Sequence, residues 1–384
     1  MLKKQICSLW LAAAVLLGSA VGAAAEEDRV VAVMAGDLEV NAAAVVVMDA
    51  DSGRVLYAQN PDRQLANAST TKMMTALLTL EQPDRDTYFT VDSDAIRVEG
   101  TTMGLQEGDS VTLNQLAAGM LLPSGNDAAG AAAVEIAGSQ EAFVEMMNAR
   151  AAELGLENTH YKNPSGLDEA GHYSSARDLA LLAAEALQNP DFADIVSRES
   201  IRLAFGNPPY NRSLYTTNKL LEEYPYAIGV KTGYTEEAGN CLVSAAEKDG
   251  KRLIVVTLNG SDTVNTHRRL YERYFQLLAQ VSLEEFTQGL TVPVVGGVSD
   301  QVAVYPAVTP TAALLEREYD DLVSQVELPR FVYAPVQQGE VLGSVRVLSG
   351  DKVVYQSSLV ADQSVSASTR EKQGLFGFLS SLFH

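Results

Sequence analysis

Between residues 43 and 279 the apolar positions follow two rhythms. Ala43 to Met48 is an unbroken run of small and branched side chains, as a strand buried on both faces requires. The turn-forming stretch Asp49-Ala50-Asp51-Ser52-Gly53 follows, then a second short run from Arg54 to Ala58, so this part reads as a β-hairpin. The spacing then lengthens to the helical period over Thr71–Glu81, Leu113–Leu122, Asp127–Ala137, Gln140–Leu154 and Ser175–Gln188, all rich in Ala and Leu. Strand-like runs return at Asn240–Ala246 and Arg252–Leu258, and a last helix is expected around Arg268–Leu278. Strands at both ends with helices between them predict an α+β domain whose terminal strands share one antiparallel sheet.

From Leu283 the texture changes to Val, Thr, Gly and Pro. Short runs recur at Thr291–Val295, Gln301–Val304, Gln325–Glu327, Glu340–Val347 and Lys352–Ser357, separated by turn signals such as Gly296-Gly297 and Ser349-Gly350-Asp351. That regularity predicts a small all-β sandwich over 283–366, with no catalytic constellation in it. In the tail, 370–384, Leu375, Phe378, Leu379 and Leu382 form one stripe when wound as a helix, widened by Phe376 and Phe383. It is too short to span a bilayer and is expected to lie as an amphipathic helix in a membrane surface.

The N-terminus adds a third apolar pattern. Lys3 and Lys4 precede the run Ile6 to Val21, which ends at Ala23-Ala24-Ala25 before Glu26-Glu27. A basic start, a short apolar centre and small residues at the end define an export signal, so residues 1–25 are expected to be removed after Ala25. Cys7 lies before the apolar centre, which argues against lipidation there. With the signal go Trp10 and one of the two cysteines, leaving Cys241 with no partner for an intrachain disulfide.

Net charge moves from −21 to −23 on removal of the two lysines. So acidic a chain is repelled by nucleic acid and by anionic lipid head groups. Four scattered histidines and the lone cysteine give no metal-ligand spacing, so neither a metal nor another cofactor is expected. About 359 mature residues exceed what one core usually supports, which places a first domain at 26–279 before the β domain.

Three short motifs carry the candidate chemistry. In Ser69-Thr70-Thr71-Lys72, a helix starting at Ser69 would put the hydroxyl and the amine on one face. A serine becomes a nucleophile when a base takes its proton, and a lysine kept neutral by burial can serve. In Leu121-Leu122-Pro123-Ser124-Gly125-Asn126-Asp127, the Pro and Gly around Ser124 break the helix and make a tight loop that can aim a second hydroxyl and the Asn126 amide into a cleft. Lys231-Thr232-Gly233, approached by apolar Ala227–Val230 and followed by Tyr234, suggests an edge strand offering a cation, a hydroxyl and a closely approachable backbone. Each alone is common: an N-cap, an interhelical turn, an ordinary turn. Together, in this order and with intervals of 55 and 107 residues, they form the set that marks the serine penicillin-recognising enzymes.

On these motifs the chain resembles the low-molecular-mass penicillin-binding proteins, the serine-type D-alanyl-D-alanine carboxypeptidases. The resemblance extends through Asp49–Tyr57, Met103–Gly108, Asn158–Asp168 and Gly171–Leu179. It implies a β-lactamase/transpeptidase-like catalytic domain, with an antiparallel sheet and a helical subdomain. It implies an enzyme on the outer face of the bacterial cytoplasmic membrane that cleaves peptidoglycan stem peptides ending in D-Ala-D-Ala and is acylated by β-lactam antibiotics. Ser69 would form the acyl-enzyme, Lys72 would be its base and Ser124 would relay the proton. Asn126 would orient the substrate amide. Lys231, Thr232 and Gly233 would line the gripping strand, Lys231 supporting Ser124 and the substrate carboxylate. The N–H groups of Ser69 and Tyr234 would form the oxyanion hole. The family often has a carboxylate-binding arginine after the next strand; Arg268 and Arg269 are in that region, and the role stays open. A serine β-lactamase, with Glu157 directing a deacylating water, and a non-catalytic β-lactam sensor or wall-binding protein are the competing readings.

Overall fold

The computed structural model describes residues 40–368. The export signal expected over 1–25 and the amphipathic helix expected over 370–384 lie outside the described residues.

Branched side chains crowd a helical turn but suit a pleated strand, and Ala42–Asp49 is accordingly β1. It pairs antiparallel with β2, Val55–Gln59. The Asp49 carboxylate ties the connecting turn by accepting from Ser52 N–H at 2.8 Å and from Ser52 Oγ at 2.6 Å.

A helical layer follows. A 3₁₀ turn, Ala68–Thr71, leads into α1, Lys72–Leu80, which is buried along its whole length. A small ladder, β3 (Phe89–Thr90) with β4 (Ser110–Val111), precedes α2, Leu113–Leu121. Thr112 and Gln115 close a capping box at the start of that helix. Then come α3 (Asn126–Ala137), α4 (Gln140–Glu153), α5 (Ala176–Ala186) and α6 (Pro190–Val196). A hairpin of β5 (Ser200–Gly206) and β6 (Pro209–Tyr215) and a short α7 (Leu220–Glu223) complete the insertion.

The chain returns to the sheet through β7 (Ala227–Thr235), β8 (Gly239–Lys248) and β9 (Lys251–Gly260). The antiparallel order is β2-β1-β9-β8-β7, so the first and last strands of the domain pair as the sequence predicts and β7 is an edge. Helix α8 spans Thr263–Leu277, starting five residues earlier than expected. One core runs through the sheet and the helices around Val46, Met73, Leu116, Phe143, Leu179 and Val256.

The described chain divides into two compact units, one ending at Gln276 and the other beginning at Leu277. The second is all β. It holds β10 (Leu278–Ser282), β11 (Thr291–Val295), β12 (Gln301–Pro306), β13 (Thr311–Leu315), β14 (Leu322–Glu327), β15 (Val332–Tyr333), β16 (Val341–Ser349) and β17 (Lys352–Ala361). Six form one sheet in the order β14-β16-β17-β12-β11-β15, and β10 pairs with β13 in a second. The alternating burial of β11 and β12 turns Val292, Val294, Val302 and Val304 into a core shared with Leu314 and Leu359. Among the described residues no helix is long and apolar enough to cross a membrane.

Candidate active site

The three sequence motifs meet at one cleft of about 560 Å3 in the first unit. Ser69 lies in the 3₁₀ turn and Lys72 opens α1, a correction to the expectation that one α-helix starts at the serine. Residues i and i+3 eclipse in a 3₁₀ turn, so the change improves their alignment. Lys72 Nζ is 2.9 Å from Ser69 Oγ and donates to the Ser165 carbonyl at 2.7 Å. Burial, and next the charge of Lys231, hold the Lys72 amine well below its ordinary value against the opposing pull of Asp127. A neutral amine so placed has a lone pair for the hydroxyl proton.

Ser124 lies in the loop between α2 and α3 in the left-handed region, with φ of 64°, a conformation that costs a non-glycine residue about 1–2 kcal/mol. Thr101 Oγ1 holds its carbonyl, and Lys231 Nζ donates to its hydroxyl at 3.0 Å. Asn126 is the first residue of α3. Its side-chain nitrogen donates to the Glu99 carbonyl at 2.6 Å, while its buried Oδ1 has no partner among the described residues, an acceptor left for a ligand N–H. The next residue, Asp127, accepts from the amides of Met103, Gly104 and Leu105, clamping that loop beside the cleft.

Lys231, Thr232, Gly233 and Tyr234 lie on edge strand β7. Lys231 is fully buried; besides Ser124 it donates to the Thr232 carbonyl at 2.9 Å, and burial pulls it down to about 7. Thr232 Oγ1 is 2.6 Å from Thr217 Oγ1. A Cβ on Gly233 would stand 3.0 Å from the Ser69 amide nitrogen, so the missing side chain lets β7 lie against the nucleophile's turn. The exposed Tyr234 also lines the cleft.

Other candidates fall away from this point. Glu157 is exposed and does not line the cleft, and neither do Arg268 and Arg269. Arg268 donates to Asn265 at 2.7 Å, and its segment lines the cleft with Thr263 and Val264 instead. Ser165, Asp127 and Thr217 were missed as contributors by sequence reasoning. Ser165 acts through a backbone carbonyl, which no residue type announces. Asp127 closes the second motif but was given no role there, and an acid placed to accept amides at a helix start was the available signal. Among the described residues no group of His, Cys, Asp and Glu is arranged to hold a metal.

Residues 30–262 match the D-alanyl-D-alanine carboxypeptidase family and residues 284–367 match the penicillin-binding protein 5 C-terminal domain. The chain belongs to the D-alanyl-D-alanine carboxypeptidase family. It is 32% identical to D-alanyl-D-alanine carboxypeptidase DacF of Bacillus subtilis over 98% of this chain and 97% of that one. It is 30% identical to DacA of Escherichia coli over 89% of this chain and 88% of that one. The crystal structure of penicillin binding protein 5 from Haemophilus influenzae superposes with a TM-score of 0.67 and 28% identity, covering 85% of this chain and 98% of that one.

Proposed function

We propose that the protein is an exported serine-type D-Ala-D-Ala carboxypeptidase that removes the terminal D-alanine from peptidoglycan stem peptides and is trapped by β-lactams. The observation that carries the reading is the 2.9 Å approach of a buried, neutral-leaning Lys72 amine to Ser69 Oγ at an open cleft. Lys72 takes the Ser69 proton as Oγ attacks the carbonyl between the two D-alanines. The Ser69 and Tyr234 N–H groups hold the developing oxyanion, the first from a helical turn whose opening amides lack intrahelical acceptors and the second from edge strand β7. Asn126 Oδ1 accepts the substrate N–H. Ser124, steadied by Lys231, passes the proton to the leaving amine, and Thr232 and Gly233 line the strand along which the peptide lies. Water then attacks the acyl-enzyme, Lys72 again taking the proton, and releases the shortened peptide.

Residues 1–25 serve as the export signal, 26–279 as the catalytic domain and 283–366 as a β domain, with 370–384 resting on the outer face of the membrane. A β-lactamase of the kind that deacylates through a glutamate-held water would need Glu157 in the cleft, and Glu157 lies outside it. A non-catalytic sensor would be expected to lack one of Ser69, Lys72, Ser124 or Lys231; all four are present, Lys72 bonded to Ser69 and Lys231 to Ser124.

The test is the intact mass of the mature protein during incubation with benzylpenicillin, beside Ser69→Ala. A lasting adduct of one drug mass, absent from the variant, is expected, followed by D-alanine release from a D-Ala-D-Ala peptide. Drug consumed without adduct would mean a β-lactamase, and drug left intact would defeat the reading.

A further inference from the structure

The peptide of the proposed reaction ends in a free carboxylate beside the scissile bond. Binding it calls for a cation that an incoming anion can reach. Lys72 and Lys231 do not meet that need: both are buried, neither lines the cleft, and their nitrogens already face Ser69 and Ser165 in one case and Ser124 and Thr232 in the other. The region after β9, where an arginine was sought, gives the cleft only Thr263 and Val264.

Lys219 is different. Of the residues that line the cleft it is the one lysine or arginine, it is exposed, and it forms no ion pair among the described residues. Its turn is fastened to the catalytic strand. Thr217 Oγ1 meets Thr232 Oγ1 at 2.6 Å, and the Thr217 amide donates to the Leu122 carbonyl just ahead of Ser124. Buried Asn218 receives the Leu220 amide and donates its own to Thr216 Oγ1. The backbone carrying Lys219 is therefore fixed while the side chain stays free. In a chain of net charge −21 a lone cation at the mouth also decides whether an anion approaches at all.

We propose that Lys219 binds the C-terminal carboxylate of the substrate and is the specificity determinant for peptides with a free C-terminus; this rests on the Ser69 reading above. A lysine is a mobile point charge and lacks the planar fork of arginine, so it fixes the charge of the ligand more than its orientation.

The experiment compares two thioester probes, an acyl-D-alanyl-thioglycolate with a free carboxylate and its methyl ester, on the full mature chain. In Lys219→Ala the acid-over-ester ratio of kcat/KM is expected to fall roughly ten- to a hundredfold, the loss expected for a charge-assisted hydrogen bond. Lys219→Arg should restore most of it, and added salt should erode the wild-type ratio. Because both probes meet the same preparation, partial misfolding cancels from the ratio. An unchanged ratio in Lys219→Ala overturns the assignment while leaving the Ser69 chemistry standing. A wild type that hydrolyses neither probe overturns the carboxypeptidase reading, and the role of Lys219 with it.

Discussion

Ser69 and Ser244 of the catalytic unit each sit beside a nitrogen base, and only the first is placed to act as a nucleophile. Ser69 Oγ is 2.9 Å from Lys72 Nζ; Ser244 Oγ is 2.6 Å from His267 Nδ1. By distance and base type the second pair looks the more reactive. Yet Ser244, His267 and Tyr271 have no exposed surface, and the hydrogen bonds close on themselves. Ser244 Oγ also meets Tyr271 OH at 2.7 Å, and His267 Nε2 meets Thr257 Oγ1 at 2.9 Å. Burial pushes the imidazole down to about 3, so it is a weak proton acceptor as well as an unreachable one. Ser69 opens onto the cleft and its base keeps capacity in reserve. Access and unspent bonding capacity, more than proximity, separate a nucleophile from a core polar network.

The sharpest way to break this contrast is to remove the reactive base. Lys72→Met should lower the rate of acylation by a β-lactam by about 10²–10⁴-fold, the usual contribution of a positioned general base. Stopped-flow measurement with a fluorescent penicillin reads it directly, and a loss of less than tenfold would mean that some other group takes the Ser69 proton. The buried pair should respond in the opposite currency. His267→Ala leaves a cavity and strips Ser244 and Thr257 of a partner, at a cost of about 2–4 kcal/mol of unfolding free energy in urea. Its acylation rate in the folded protein should stay within twofold of wild type; a rate that collapsed with stability intact would make the network part of the chemistry.

Much of this was legible in the sequence where side chains do the work. The β1–β2 hairpin follows from the Asp49–Gly53 turn, where Gly53 takes a φ of 69°, and the three motifs do converge on one cleft. The β5–β6 hairpin was missed although Ile201, Leu203 and Phe205 alternate with exposed Ser200, Arg202 and Ala204; its second strand, exposed at most positions, shows no alternation to pair with the first. Helix α6 carries an Asn189 cap and Pro190 at its first turn, but seven residues are too few to show a period. The start of α8 was missed because its first turn, Thr263 to Thr266, is polar apart from Val264. In the cleft, what escaped were backbone partners such as the Ser165 carbonyl, and Lys219, whose meaning depends on which other cations are buried.

The smallest effect tests whether the second lysine is held neutral as His267 is. Burial takes Lys231 from 10.5 down to about 7. Between those values the unfolded chain holds a proton that the folded chain has released, so stability should rise with pH. Lys72 acts in the same direction, and Cys241, raised by burial from 9.0 to about 11, opposes it only where the unfolded thiol begins to ionise. The clean window is therefore about pH 7 to 8.5, with the full unfolding curve of Lys231→Met subtracted so that shared groups cancel. The wild type should gain up to ~1.4 kcal/mol per pH unit over the variant there, one proton's worth. Parallel curves would mean that Lys231 stays an ammonium in the folded protein. It would then hold Ser124 by charge, and the two buried bases would differ in kind rather than in degree.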